Sequence, residues 1–200
     1  MNQSTRTYHD PLHKSISLNK EDPSEKLIIK LIDTPAFQRL RRIKQLGPAY
    51  LTFHGAESSR FTHSLGAFYI ARKALNKLEI IDKSLKEKRG ILYSASLLHD
   101  LGHAPMSHTG EDIFGIQHEQ WSSKIILEDP TIHKILEGFA PGTSTQIANI
   151  LTGENKSSNV INSLISSQLD CDRLDYLLRD SYSTGTNYGQ LDLERILSAL

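Results

Sequence analysis

The chain has 200 residues, 38% hydrophobic and 23% charged, with 23 basic and 23 acidic side chains. That is the composition of one globular domain, two at most, and a formal net charge of zero gives no long-range field to gather nucleic acid or an anionic membrane. The single cysteine, Cys171, excludes an internal disulfide framework, and neither a signal-peptide run nor a stretch of roughly 20 apolar residues occurs, so the chain reads as cytoplasmic.

Tyr8 to Leu18 contains Asp10-Pro11 and alternating Ile16 and Leu18, which predicts a turn and a short β-ribbon. Ser24 is placed to cap a helix carrying Leu27, Ile28, Leu31 and Ile32. Thr34-Pro35 opens a second helix, with Phe37, Leu40 and Ile43 inward and Arg39, Arg41, Arg42 and Lys44 outward, ended by Gly47-Pro48. Tyr50 to Phe53 reads as extended and His54 to Glu57 as a loop. Ser58 or Ser59 caps a long helix whose apolar residues Phe61, Leu65, Phe68, Ala71, Leu75 and Leu78 recur at spacings of 4, 3, 3, 4 and 3. His63, Gly66, Ala67 and Ile70 form a second apolar face, which puts His63 inside.

A charged linker, Asp82 to Arg89, precedes a central helix from Ile91 to Asp100. Gly102, Pro105 and Gly110 break the next segment into a loop with His103 and His108. Further helices are expected at His118–Leu127, Thr131–Glu137, Thr145–Leu151, Val160–Ser167 and Asp170–Asp180. A last amphipathic helix, Leu191–Leu200, stops without a capping residue, which reads as the N-terminal part of a longer chain. The fold class is all-α with an N-terminal β-ribbon, residues 1–200 forming one domain.

The stretch Leu97-Leu98-His99-Asp100-Leu101-Gly102-His103 carries the chemistry. Adjacent His99 and Asp100 offer a nitrogen and an oxygen ligand at the end of an apolar helix, and His103, four residues on, is expected one turn later on the same face. A His-Asp dipeptide alone is ordinary in structural proteins, as is one histidine on an apolar helix. With His63 and Asp172 added, three helices would supply two imidazoles and two carboxylates. That donor set suits Mn²⁺, Fe²⁺, Ni²⁺, Zn²⁺ or Mg²⁺ and does not have zinc-finger spacing.

Four runs in order change the weight of that reading. They are Arg60-Phe61-Thr62-His63-Ser64-Leu65-Gly66, then Leu98 to His108, then His118-Glu119-Gln120, then Gln168 to Asp180. Together they strongly resemble the HD-domain deoxynucleoside triphosphate triphosphohydrolases, and the resemblance extends from about Asp10 to Leu200. Thr52 to Glu57 and Ser183 to Gly189 look closest to the bacterial branch.

The resemblance implies an HD-domain helical bundle and one divalent transition metal (Mn, Fe, Ni or Zn) on His63, His99, Asp100 and Asp172, with Mg on the nucleotide phosphates. It implies cleavage between the 5′ oxygen and the α-phosphorus of a deoxynucleoside triphosphate (dNTP). His108 would be the acid for the leaving oxygen, His103 and His118 would contact phosphates, and Glu111 would orient water. Arg60 and Arg173 match phosphate contacts, Tyr176 and Asp180 sugar contacts, and Gln45 and Leu46 sugar and base contacts. Arg6, Asp33, Gln38 and Arg41 match a second site for an activating guanine nucleotide, GTP or dGTP, between subunits of a tetramer. A capping or core role for His118, an interhelical hydrogen bond for Tyr176 and Asp180, and a solvated face for the arginine cluster stand beside those roles. Hydrolysis of an alarmone or cyclic nucleotide, or a non-catalytic nucleotide-sensing module, are the competing functions.

Overall fold

The computed structural model describes residues 4–154 and 160–200. Strands β1 (Thr5–Asp10) and β2 (Lys14–Asn19) pair antiparallel with Tyr8 opposite Ile16. The Asp10 carboxylate accepts from the backbone N–H groups of Leu12 and His13 and so shapes the turn between them. The expected ribbon is present, and everything after it is helical or irregular among the described residues.

Helix α1 (Pro23–Ile32) begins one residue earlier than its expected cap: Asp22, followed by Pro23 at the first helical position, accepts from the N–H groups of Ser24 and Glu25. Helix α2 (Pro35–Gln38) is capped by Thr34 as expected but runs straight into a 3₁₀ turn, Arg39–Arg42, rather than continuing to Gly47. Tyr50 to Phe53 is not extended. Gly47–Leu51 forms a second 3₁₀ turn, entered through the positive φ of 53° at Gly47, where a Cβ would sit 2.6 Å from the Met106 carbonyl.

Helix α3 (Arg60–Ile81) is capped by the Ser59 hydroxyl, and twelve of its residues, His63 among them, are buried. The expected linker is a 3₁₀ turn, Lys83–Lys88, leading into α4 (Arg89–Leu98), nearly all of which is buried. Helices α5 (His108–Phe114), α6 (His118–Glu128), α7 (Pro130–Glu137), α8 (Thr143–Leu151), α9 (Val160–Ile165), α10 (Cys171–Thr184) and α11 (Leu193–Ser198) complete the bundle. Helix α3 packs on α4 on one side and α10 on the other, which is why it is apolar on two faces. Phe37, Phe68, Leu75, Leu92 and Tyr93 are core residues. No helix among the described residues is long and apolar enough to cross a membrane.

One correction bears on the site. Helix α4 ends at Leu98, so His99 and Asp100 stand past its end rather than within it, and His103 lies in the expected loop, not on the helical face that its spacing from His99 suggested. The loop returns His103 to the same place by another route. Arg39, expected on a solvated face, is half-buried and donates to the backbone carbonyls of Leu101 (2.8 Å) and His103 (2.9 Å), pinning that loop.

Candidate metal centre and cleft

Three elements converge: α3 with His63, the end of α4 with His99 and Asp100, and α10 with Asp172 near its start. His63 Nε2 and His99 Nε2 are 3.2 Å apart, and Asp172 Oδ1 lies 2.9 Å from the first and 3.5 Å from the second. Asp100 Oδ2 is 3.4 Å from His63 Nε2, and its Oδ1 is 3.4 Å from His99 Nε2. Asp100 also shares its charge with Arg60, whose Nη1 is 2.5 Å away.

Both ligand rings are oriented from behind. His63 Nδ1 donates to Asp175 Oδ2 (2.8 Å) and His99 Nδ1 to the Ser96 carbonyl (2.9 Å). Each Nε2 lone pair is therefore turned toward the other, as outer partners do for metal-ligating histidines. Two neutral acceptors 3.2 Å apart repel unless a proton or a cation lies between them. The electrostatics agree. Burial opposes charging His63, yet bonds to Asp172 and Asp175, with Asp100 nearby, raise its pKa to about 10. His99 is also raised, Asp100 and Asp172 outweighing burial. Asp100 is held well below the ordinary carboxylate range, its burial outweighed by Arg60, His99 and His103. A nest of this kind fits a divalent cation, and His63, His99 and Asp172 place ligand atoms within 4.8 Å of one another.

A second group lies beside the first. His103 is fully buried and stacks on His118 at 3.9 Å between ring centroids, 15° from parallel. Glu111 Oε1 accepts from His118 Nδ1 (2.5 Å) and its Oε2 from His108 Nδ1 (3.2 Å). Burial takes the His103 pKa down to about 4, which leaves that ring neutral. The four residues place ligand atoms within 4.8 Å of one another, but both Glu111 oxygens are already taken by imidazole donors, which favours proton handling over a second ion. Ser107, at a strained φ of 56°, is held by Arg60 Nε at 2.8 Å and donates to the Gln45 carbonyl.

Arg60, His99, Asp100, His108, His118 and Asp172 line a cleft of about 530 Å³, within the range of small-molecule sites, while His63 and His103 are fully buried and do not line it. Gln45, Leu46, Tyr176 and Asp180 line its other wall, and Arg173 stands at its edge with 51% of its side chain exposed. Asp180 is buried with Oδ1 unpartnered, and Gln45 is buried with Oε1 unpartnered. Burial pushes the Asp180 carboxyl up to about 6.

The HD domain family matches residues 60–180. The chain belongs to the HD-domain family. Among similar proteins, YwfO of Bacillus subtilis is 45% identical over 98% of this chain and 44% of its own length. The deoxynucleoside triphosphate triphosphohydrolase SAMHD1 of Gallus gallus is 30% identical over 96% of this chain and 36% of its own. A phosphohydrolase structure from Bacteroides thetaiotaomicron superposes with a TM-score of 0.80 at 33% identity, covering 96% of this chain and 46% of that one. The chain thus spans less than half the length of each.

The four residues expected at a second nucleotide site, all preceding the matched HD span, form two pairs. Arg6 Nη1 is 2.6 Å from Asp33, and Arg41 Nε donates to Gln38 Oε1 at 2.8 Å. The Arg41 guanidinium also lies 3.6 Å over the Phe61 ring, and Arg6 is 5.1 Å from the Tyr8 ring. Reading the sequence missed Asp175, Arg179, His13 and Arg39. The only local signal was the i, i+4 spacing of Asp175 and Arg179, which together with a following His-free helix looks like an ordinary surface pair.

Proposed function

We propose that this HD domain belongs to a metal-dependent phosphohydrolase that cleaves a dNTP to deoxynucleoside and inorganic triphosphate. The observation that carries the reading is a single cleft. It is lined by His99, Asp100 and Asp172 of the ligand set, by His108 and His118, which Glu111 bridges, and by Gln45 and Asp180, whose Oε1 and Oδ1 are buried acceptors without partners. The relative SAMHD1 is named for that same activity.

His63, His99, Asp100 and Asp172 would hold the divalent transition metal, which when bound polarises a phosphoryl oxygen and lowers the pKa of water. The remaining work falls to the protein's own groups. A triphosphate carries about four negative charges and needs convergent cationic donors. Arg60 is largely committed to Asp100, so Arg173 at the cleft edge is the freer cation, with Mg²⁺ on the phosphates supplying the rest. His118 faces the phosphates, with His103, neutral and buried, stacked against it. His108 has Nδ1 on Glu111 and its other nitrogen free to protonate the leaving 5′ oxygen. Glu111, first read as orienting water, has both oxygens on histidines and is better suited to positioning those rings. On the opposite wall Asp180 and Gln45 accept from the 3′ hydroxyl. Tyr176 closes against the 2′ carbon, and Leu46 borders the base.

The Arg6, Asp33, Gln38 and Arg41 surface would take the guanine nucleotide activator at a junction between copies in a homo-oligomer, a tetramer in the full assembly. Ligand binding there must break the two internal pairs. Arg41→Ala is expected to abolish stimulation by GTP or dGTP and to leave basal turnover within about twofold, because surface substitutions away from a site are usually nearly neutral.

The test is anion-exchange analysis of products from each dNTP with Mn²⁺, for wild type and Asp100→Ala. Triphosphate and deoxynucleoside from wild type alone support the reading. Pyrophosphate or a nucleoside monophosphate would assign a different HD-type hydrolysis. Absence of turnover in protein that binds metal would mean a binding module or a part that needs the rest of a longer enzyme, which a longer chain in the same assay would tell apart.

A further inference from the structure

The β1–β2 turn reaches into the metal centre. His13 Nε2 donates to Asp175 Oδ1 at 2.6 Å, and the same carboxylate holds His63 Nδ1 through Oδ2 at 2.8 Å. Arg179 supplies the other two bonds, Nε to Oδ2 at 2.8 Å and Nη2 to Oδ1 at 3.0 Å. Four donors fill the four lone-pair directions of one carboxylate that is itself fully buried, so it has no freedom to turn. Asp10 ties the arrangement to the ribbon a second time. Its Oδ2 accepts from Arg179 Nη1 at 2.8 Å, while its Oδ1 shapes the turn that aims His13. Gly66 of α3 lies against the same carboxylate, where a Cβ would overlap Asp175 Oδ1. The matched HD span starts at residue 60, so His13 and Asp10 both lie outside it.

The geometry points to His13 as a positioning residue for the metal centre. Through Asp175 it fixes the ring plane and basicity of His63, and docking of the N-terminal ribbon thereby sets how tightly the cation is held. The inference rests on His63 being a metal ligand. It also links the two nucleotide-facing regions, because the ribbon that carries His13 carries Arg6 on β1.

The experiment is a Co²⁺ titration of the whole chain, with the visible absorption spectrum and chelator competition as readouts, independent of turnover. His13→Phe keeps a ring against Tyr69, 5.0 Å away between centroids, and removes the donor. His13→Gln restores an N–H at a similar reach. Outer-partner substitutions typically cost about ten- to a hundredfold in metal affinity. His13→Phe is therefore expected to weaken Co²⁺ by about tenfold or more and to shift the spectrum, and His13→Gln to recover most of the loss. Ser17→Ala, which removes an exposed cross-strand hydrogen bond to Thr7, is expected to leave affinity unchanged. The inference is overturned by wild-type affinity and spectrum in a folded His13→Phe. It is also overturned by a Gln variant no better than Phe, or by a Ser17→Ala variant as weak as His13→Phe. Wild type that binds no Co²⁺ overturns the metal reading and this inference together, whereas binding equal in wild type and His13→Phe overturns this inference alone.

Discussion

Gly66→Ala offers a sharp probe of how closely α3 and α10 approach behind the metal centre. The added Cβ would overlap Asp175 Oδ1 and sit 2.5 Å from Asp175 Cγ and 2.6 Å from Arg179 Nη2. Restoring ordinary contact requires a shift of roughly 1.5 Å in a close-packed interior. Either the carboxylate swings off its donors or the two helices separate. Overpacking costs about 1–3 kcal/mol and a lost hydrogen bond to a charged group about 1.5–3 kcal/mol, while replacing a mid-helix glycine returns about 1 kcal/mol. The net destabilisation is about 1.5–5 kcal/mol, or roughly 3–20 °C in Tm for a chain of this size. Circular dichroism melts in excess chelator read it without any contribution from bound metal. A variant melting at or above wild type would refute the close approach, since helix propensity alone would then decide the sign.

The other expectations concern charge. Because burial raises the Asp180 carboxyl to about 6, above an unfolded value of about 3.9, the folded chain keeps a proton that the unfolded chain has released. Its contribution is full below about pH 4 and is lost as pH rises through about 6. Asp180→Asn should therefore raise Tm at pH 7 relative to wild type and have much less effect at pH 4; an equal effect at both would contradict the shift. The protons held by His63 and His99 must leave before a cation binds. Co²⁺ affinity should accordingly rise from pH 6 to pH 8 with proton release detectable in weakly buffered solution, and a pH-independent Kd would count against these ligands. Arg60→Met strands the Asp100 carboxylate in the interior and is expected to cost about 3–5 kcal/mol, measured by denaturant unfolding. A change within about 0.5 kcal/mol would mean that the pair is not buried.

What could be read from sequence was whatever had a local cause. The 3.6-residue pattern from Phe61 to Leu78 located α3 and put His63 inside it. Thr34-Pro35 marked the start of α2, and Asp10-Pro11 marked the ribbon turn. Misreadings arose where tertiary contacts overrode that local logic. The segment after α2 tightened into 3₁₀ turns because Arg39 is drawn inward to the Leu101 and His103 carbonyls. His103 reaches the cluster from the expected loop, not from the helical face that its four-residue spacing from His99 suggested. The support behind His63 was illegible for a simple reason: His13 and Asp175 are 162 residues apart, and no periodicity reports a hydrogen bond across that separation. The expected ligands His63, His99 and Asp172 do come together. Asp100 comes with them but divides its charge with Arg60, a pairing that the four-residue run from Arg60 to His63 did not suggest.

The most direct measurement is a ³¹P NMR spectrum of a dNTP turned over by the Mn²⁺-loaded chain in H₂¹⁸O and quenched with chelator. Attack at the α-phosphorus should give inorganic triphosphate as the phosphorus product, with one ¹⁸O on a terminal phosphorus and none in the deoxynucleoside. Label in the deoxynucleoside, or resonances of pyrophosphate and nucleoside monophosphate in place of triphosphate, would contradict the assignment of this cleft to dNTP triphosphohydrolysis.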